Sequence, residues 1–142
     1  MKFSEAEGHK VVSTSSAETV GRVSEFVVDP ASRQVVAVEI KKAERGDLLA
    51  WPDIAAFGAD AVTVAGAGAI GAGVGPVTEL LGKDHHLRGK RLLTAGGDEL
   101  GKVTDVEFDP ATGAITALLM KKESVDGARL IGVGSYAVVV SV

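Results

Sequence analysis

The chain has 142 residues and a formal net charge of −4, the wrong sign for a general nucleic-acid binder. Hydrophobic residues make up 46% and charged residues 24%, which argues against disorder; aromatics are only 4%, so aliphatic side chains must build the core. Cysteine is absent, which removes disulfides, thiolate chemistry and Cys-based zinc sites together.

The first residues, Met1-Lys2-Phe3-Ser4-Glu5, have no apolar stretch after the lysine and do not read as a signal peptide. No apolar run reaches membrane-spanning length, so the expected location is the cytoplasm. Residues 10–14 form the first strand candidate, followed by a longer β-rich run over 20–28. Asp29-Pro30-Ala31-Ser32-Arg33 interrupts it before a return strand over 34–42. Proline presets φ for a turn and the Asp carboxylate can accept backbone N–H bonds two residues on, so this is a hairpin. Residues 47–51 are another short strand, residues 52–57 a single helical turn begun by Pro52, and residues 61–64 a closing strand. A glycine-alanine stretch then reads as a flexible linker, running into a short helix over 76–82.

Beyond the linker the first half reappears at a step of eighty residues. Gly101 falls on Gly21, Val103 on Val23, Asp109-Pro110-Ala111 on Asp29-Pro30-Ala31, and Lys121-Lys122 on Lys41-Lys42. A fixed-step repeat means that one supersecondary unit was duplicated. The organisation is therefore repeat one over 1–65, linker and short helix over 66–82, and repeat two over 83–142. Alternation assigns Phe26, Val28, Val38 and Ile40 inward, with counterparts Val106, Phe108, Leu118 and Met120. Asp105 and Glu107 should face water, and Gly21 and Gly101 mark a bulge or bend. Repeat two is expected to be shorter at its end, where it lacks the Trp-Pro pair. Units this small bury little core, so the halves should pack on each other, on a second copy or on a partner. Trp51, Pro52 and Tyr136 are the candidate contact residues, and strand 137–140 should be paired on a neighbour.

The pattern Gly-basic-Val-x-acidic-x-x-x-Asp-Pro, a return strand ending in Lys-Lys, an apolar strand, Trp-Pro and a closing Val-Thr-Val resembles the PRC-barrel family. The resemblance covers residues 8–64 and 87–142. It implies an all-β chain of two tandem small PRC-like β-barrels joined by a Gly-rich linker and a short helix. It also implies a non-catalytic adaptor that binds protein or RNA surfaces, and brings no catalytic or cofactor residues. The expectation is a protein partner or self-association as a homodimer, with RNA less favoured and neither DNA nor membrane insertion.

Other chemistry is weaker. Gly66-Ala67-Gly68-Ala69-Ile70-Gly71 spells a dinucleotide fingerprint, but Gly73, Gly75 and Pro76 break the helix that would have to follow. His85 and His86 are adjacent, a spacing that seldom chelates one metal, and His9 is distant in sequence. Asp29 and Asp109 are turn formers, and Ser13, Ser15 and Ser16 have no base placed by a motif. The basic stretch 83–91 supplies Lys83, Arg88, Lys90 and Arg91 as possible anion or RNA contacts. Its bland reading is solvated charge at strand ends.

Overall fold

Period-two alternation of aliphatic and polar residues writes strands into both halves. The computed structural model describes residues 1–43, 46–71 and 80–142. In the first half β1 (Lys10–Ser13), β2 (Thr19–Asp29), β3 (Gln34–Lys41), β4 (Leu48–Ala50), β5 (Ala56–Phe57), β6 (Ala61–Val64) and β7 (Ile70–Gly71) form one sheet. Its order is β5-β6-β1-β2-β3-β4-β7, with β1 and β6 parallel. The second half contains β8 (Arg91–Thr94), β9 (Glu99–Lys102), β10 (Asp105–Phe108), β11 (Ile115–Leu119), β12 (Ser124–Asp126), β13 (Leu130–Val133) and β14 (Ala137–Val140). These strands form two sheets, β13-β14-β8-β9 and β10-β11-β12. β9 and β10 together take the place of β2, interrupted at Val103-Thr104. The sheets curl into half-barrels, and the chain is nearly all β.

The duplicated signals act as expected. Asp29 Oδ1 accepts the Ala31 N–H at 3.0 Å, and Asp109 Oδ1 accepts the Ala111 N–H at 2.8 Å. The register shifts opposite Gly21 in one half and opposite Gly101 in the other. Phe26, Val28, Val38, Ile40, Val106, Phe108 and Leu118 are all buried. β14 is paired on both sides, by β13 and β8, which explains its apolar run.

Three expectations are corrected. The helical turn is confined to Trp51–Asp53; Ala56 and Phe57 are extended and pair with β6, which lets Phe57 reach the core. The second repeat is not trimmed at its end. The shortening lies in the loop before β12, because Ala37 pairs with Ala50 as Ala117 pairs with Asp126. The turn Trp51–Asp53 therefore coincides with Gly127–Arg129, and Trp51 has Gly127 as its counterpart. Finally, residues 66–71 are not free linker: Ile70 is 2% exposed, and Ile70–Gly71 pairs with β4. The helix expected over 76–82 lies outside the described residues except for its last three positions. Leu80 and Leu81 pack on Val27, Ala37 and Leu48 in a second, smaller apolar cluster.

The halves join reciprocally. The Val35 N–H donates to the Gly113 carbonyl at 2.8 Å, and the Ile115 N–H donates to the Arg33 carbonyl at 2.9 Å. Gln34 and Ala114 bridge antiparallel between these bonds. Residues 33, 34 and 35 become 113, 114 and 115 at the repeat step, so each bond is the image of the other. Such a self-complementary contact is what a two-fold axis produces in a homodimer. Here the axis is a pseudo-symmetry inside one chain.

The segments leading into each half follow the same exchange. Gly8 and Gly89 are equivalent, with φ of 86° and 87°, and their N–H groups donate to the Val23 and Val103 carbonyls. The arm before Gly8, including helix α1 (Phe3–Ala6), lies on β10 of the other half. Its amino terminus donates to the Phe108 carbonyl at 2.9 Å, the Phe108 N–H returns a bond to the Met1 carbonyl at 2.8 Å, and Ser4 binds Asp105. This arm bridges to β10 at Lys2 and Glu107, and the Ser4 N–H donates to the Asp105 carboxylate at 3.1 Å on the solvent side. The arm before Gly89 crosses the opposite way, onto β2 and β3.

One apolar cluster results, drawing on both halves. Phe108 sits 5.6 Å from Phe26, 5.5 Å from Phe3, 5.3 Å from Phe57 and 6.4 Å from Trp51, ring centre to ring centre. Symmetry is broken by exchanging large and small residues. On one side Trp51 lies over Gly113, where a Cβ would come within 3.1 Å of the indole. The same two positions on the other side hold Gly127 and Arg33, and the Arg33 Nε–H donates to the Leu130 carbonyl at 2.7 Å. A Cβ on Gly127 would run into the Ile115 carbonyl oxygen.

Phe108→Ala should cost about 3–5 kcal/mol, and both halves should unfold in one transition when followed by Trp51 fluorescence and by far-UV dichroism. Two separated transitions would contradict a shared core. Gly127→Ala should cost about 1–3 kcal/mol by overpacking, measured in the same denaturant titration.

Candidate functional site

Three places bear on function: the basic arm over 83–91, the cleft beside Trp51, and the exposed apolar residues of the second half. Residues Lys83–His85 form a 3-10 turn that brings the arm onto the first half. His86 Nε2 lies 3.1 Å from Glu39 Oε2, and its Nδ1 lies 3.9 Å from Glu25. Arg88 Nη2 donates to Glu7 at 2.8 Å and to the two Glu25 oxygens at 3.0 and 3.1 Å. Its guanidinium also sits 5.8 Å from the Phe3 ring centre. Burial works to lower the Arg88 pKa, but the hydrogen bond to Glu7 and the charge of Glu25 outweigh it and hold the group above the ordinary arginine value. Arg88 Nε is buried without a hydrogen-bond partner among the described residues, a desolvation cost that offsets part of what the clamp contributes.

Arg88, one of the expected anion contacts, is ion-paired with Glu7 and Glu25 and joins the halves. Glu7 and Arg88 are equivalent arm positions that meet across the pseudo-axis with opposite charge. Burial lowers the Lys90 pKa below the ordinary lysine value, against the opposing pull of Asp84. Arg91 stacks its guanidinium 4.4 Å from the Tyr136 ring centre, and donates to the Tyr136 hydroxyl at 3.0 Å and to Glu99 at 3.5 Å. The structure thus brings Arg91 and Tyr136 together, although they were singled out for different roles. The acids that hold Arg88 stand 81 and 63 residues away in sequence, beyond the reach of any local signal.

The remaining candidates are placed as follows. His85 Nδ1 approaches the Leu81 carbonyl at 3.3 Å, and His9 Nε2 approaches the Ala59 carbonyl at 2.8 Å. Among the described residues, no three His, Cys, Asp or Glu side chains gather as a metal site. The glycine fingerprint passes through a 3-10 turn at Ala67–Ala69 and then pairs with β4, so its last glycine is in a strand where a dinucleotide site opens a helix. Ser13 Oγ, buried at the end of β1, is 3.0 Å from Oγ of the exposed Ser15.

Trp51 is half-buried and lines a cleft of about 350 Å³ with Ile54, Phe57, Pro110 and Ala111, at the junction of the halves. Pro52 is exposed in the adjoining turn. The large apolar side chains left exposed among the described residues are Leu100, Ile131, Tyr136 and Val142, all in the second half. Leu100, Ile131 and Tyr136 are carried on or beside β9, β13 and β14 of one sheet. No helix among the described residues is long and apolar enough to cross a membrane.

The Arg88 clamp predicts coupling. Arg88→Met should destabilise by about 1–3 kcal/mol, because it deprives the largely covered Glu25 carboxylate of its charge partner, and should cost clearly less in a Glu25→Gln background. Equal losses in both backgrounds, read from denaturant midpoints, would show that the pair is decorative.

The PRC-barrel domain family model matches this chain twice, over residues 1–68 and 82–141. No curated protein matches the chain at a significant level.

Proposed function

The chain belongs to the PRC-barrel family, and from that premise we propose that it is a non-catalytic module that binds a protein partner through its second half. The observation carrying this reading is the placement of Leu100, Ile131 and Tyr136, exposed by 39%, 46% and 65% on one sheet. Large apolar side chains left in solvent on the strands of one sheet are what a partner surface would cover. The ionisable groups that would attract a catalytic reading have structural employment: Asp29 and Asp109 form turns, and Glu7, Glu25, Glu39, His86 and Arg88 hold the arms. Protein binding in the cytoplasm fits a chain without cysteine.

The competing readings are weaker. RNA binding through residues 83–91 would have to compete for Arg88 with Glu7 and Glu25, and Arg91 is engaged by Tyr136 and Glu99. Self-association into a homodimer is less needed here, because the reciprocal contact that would close a dimer is already made within the chain. The test is affinity capture from native lysate, with and without nuclease, comparing wild type with the double variant Ile131→Asp, Tyr136→Asp. A protein band that resists nuclease and disappears in the variant is expected. Retained material that absorbs at 260 nm and is released by nuclease would overturn the reading in favour of RNA.

A further inference from the structure

The duplication places the same site twice, and only one copy is filled. In the first half the chain leaves β6, turns at Ala67–Ala69 and lays Ile70–Gly71 along the outer edge of β4, with Leu49 opposite Ile70 and Leu48 opposite Gly71. Ile70 and Ala67 form one wall of a cleft of about 240 Å³ whose other walls are Glu18, Thr19, Val20, Lys42 and Ala43. The inserted Ile70 side chain is 2% exposed and belongs to the main core.

The equivalent edge in the second half is Ser124–Val125 of β12. The equivalence is fixed by pairing: Leu48 and Leu49 face Glu39 and Val38, as Ser124 and Val125 face Leu119 and Leu118. Among the described residues no strand pairs with that outer edge. Beside it lies a cleft of about 440 Å³ lined by Leu100, Gly101, Lys102, Met120, Lys121 and Lys122. Leu100 stands where Val20 stands, and Met120 where Ile40 stands. Ile40 is buried at 3%, whereas Met120 is only half-buried and Leu100 is 39% exposed. The apolar walls are therefore present in both halves, and the strand that covers them is present in one.

We propose that this second-half cleft is a docking groove for an extended segment of a partner protein, which adds as a strand to the edge of β12 and inserts one aliphatic side chain between Leu100 and Met120. The proposal rests on the reading of the chain as a protein-binding module and specifies a surface and a ligand class for it. The filled copy defines the occupant: a small residue, then an aliphatic one, then glycine, in extended conformation, as in Ala69-Ile70-Gly71. Strand addition draws affinity from main-chain hydrogen bonds and specificity from the pocket that takes the alternate side chain. Charge sets the flanks. Lys102, Lys121 and Lys122 outnumber Glu123 around the cleft, so the partner segment carries acidic residues beside its aliphatic anchor.

The test uses the isotope-labelled full chain and a capped synthetic peptide of residues 64–71 of this same sequence, together with an analogue bearing a glutamate at each end. Saturable amide shifts confined to residues 100–102 and 120–125 are expected, with tighter binding by the acidic analogue at low salt. Replacing isoleucine by aspartate in the peptide, or Leu100→Asp in the protein, should weaken binding by about tenfold or more. Leu100 is exposed, so this variant should fold, which its unchanged unfolding midpoint verifies. No shifts at millimolar peptide, or shifts centred elsewhere, would overturn the proposal. Concentration-dependent broadening of the groove resonances without peptide would overturn it in favour of a second copy of the chain. Loss of peptide binding together with intact capture through Ile131 and Tyr136 would sink the groove alone and leave the broader reading standing.

Discussion

The antiparallel contact between residues 33–35 and 113–115 is the constraint from which the rest of the molecule follows. Two N–H groups reach two carbonyls in a self-complementary pair, and this fixes the distance and orientation of the two hairpins. Once they are fixed, Phe108 has one place to go, among Phe3, Phe26 and Phe57. A barrel of some sixty residues buries too little of its own surface for comfortable stability. Pooling the aromatic side chains of two such units into one cluster addresses that problem in a chain that has no cysteine for disulfides. The crossed arms act in the same direction, since each half is capped by the segment that introduces the other.

Fusing a two-fold arrangement into one chain frees it from true symmetry. In a homodimer, a large residue beside the axis would meet its own copy, and both positions would have to change together. Here Trp51 faces Gly113 while Gly127 and Arg33 occupy the same positions across the axis. Glu7 and Arg88 make the same point electrostatically, because a pair of equivalent residues that meet at an axis can be oppositely charged only when the two copies differ in sequence. These differences favour one orientation of the halves.

Much of the fold was legible in the sequence because it rests on local rules. The Asp-Pro turns, the bulges at Gly21 and Gly101, the inward faces of the hairpins and the pairing of the apolar strand β14 all follow from turn chemistry, alternation and the cost of a free apolar edge. What escaped was long-range. Nothing near Arg88 in sequence announces Glu25, and nothing around Phe3 marks a helix that belongs on the opposite half. The glycine-alanine stretch misled for a related reason. Its composition signals flexibility, but a single isoleucine beside an unpaired strand edge is enough to fix Ile70 and Gly71 in place. The shortening of the second repeat was misplaced because a loop deletion shifts the step between the copies, from eighty residues before β12 to fewer after it, and only strand pairing reveals where the change occurs.

A duplicated fold also supplies its own comparison. When two copies share a backbone, every difference between them is a change made against a constant background. Leu49 and Val125 both hold their strand against the core, and Leu48 is buried where Ser124 is exposed. The first-half edge has been finished by the chain itself, with an inserted side chain as deeply buried as the core it joins. The second-half edge keeps the apolar walls but is polar at its rim. An unfinished sheet edge is a hazard for aggregation unless something manages it. Lys121 and Lys122, at the end of the return strand beside that edge, supply charge that discourages pairing with an arbitrary strand while leaving it open to one with acidic flanks. The asymmetry between the two edges is therefore the physical basis on which a self-contained body can also offer a selective surface.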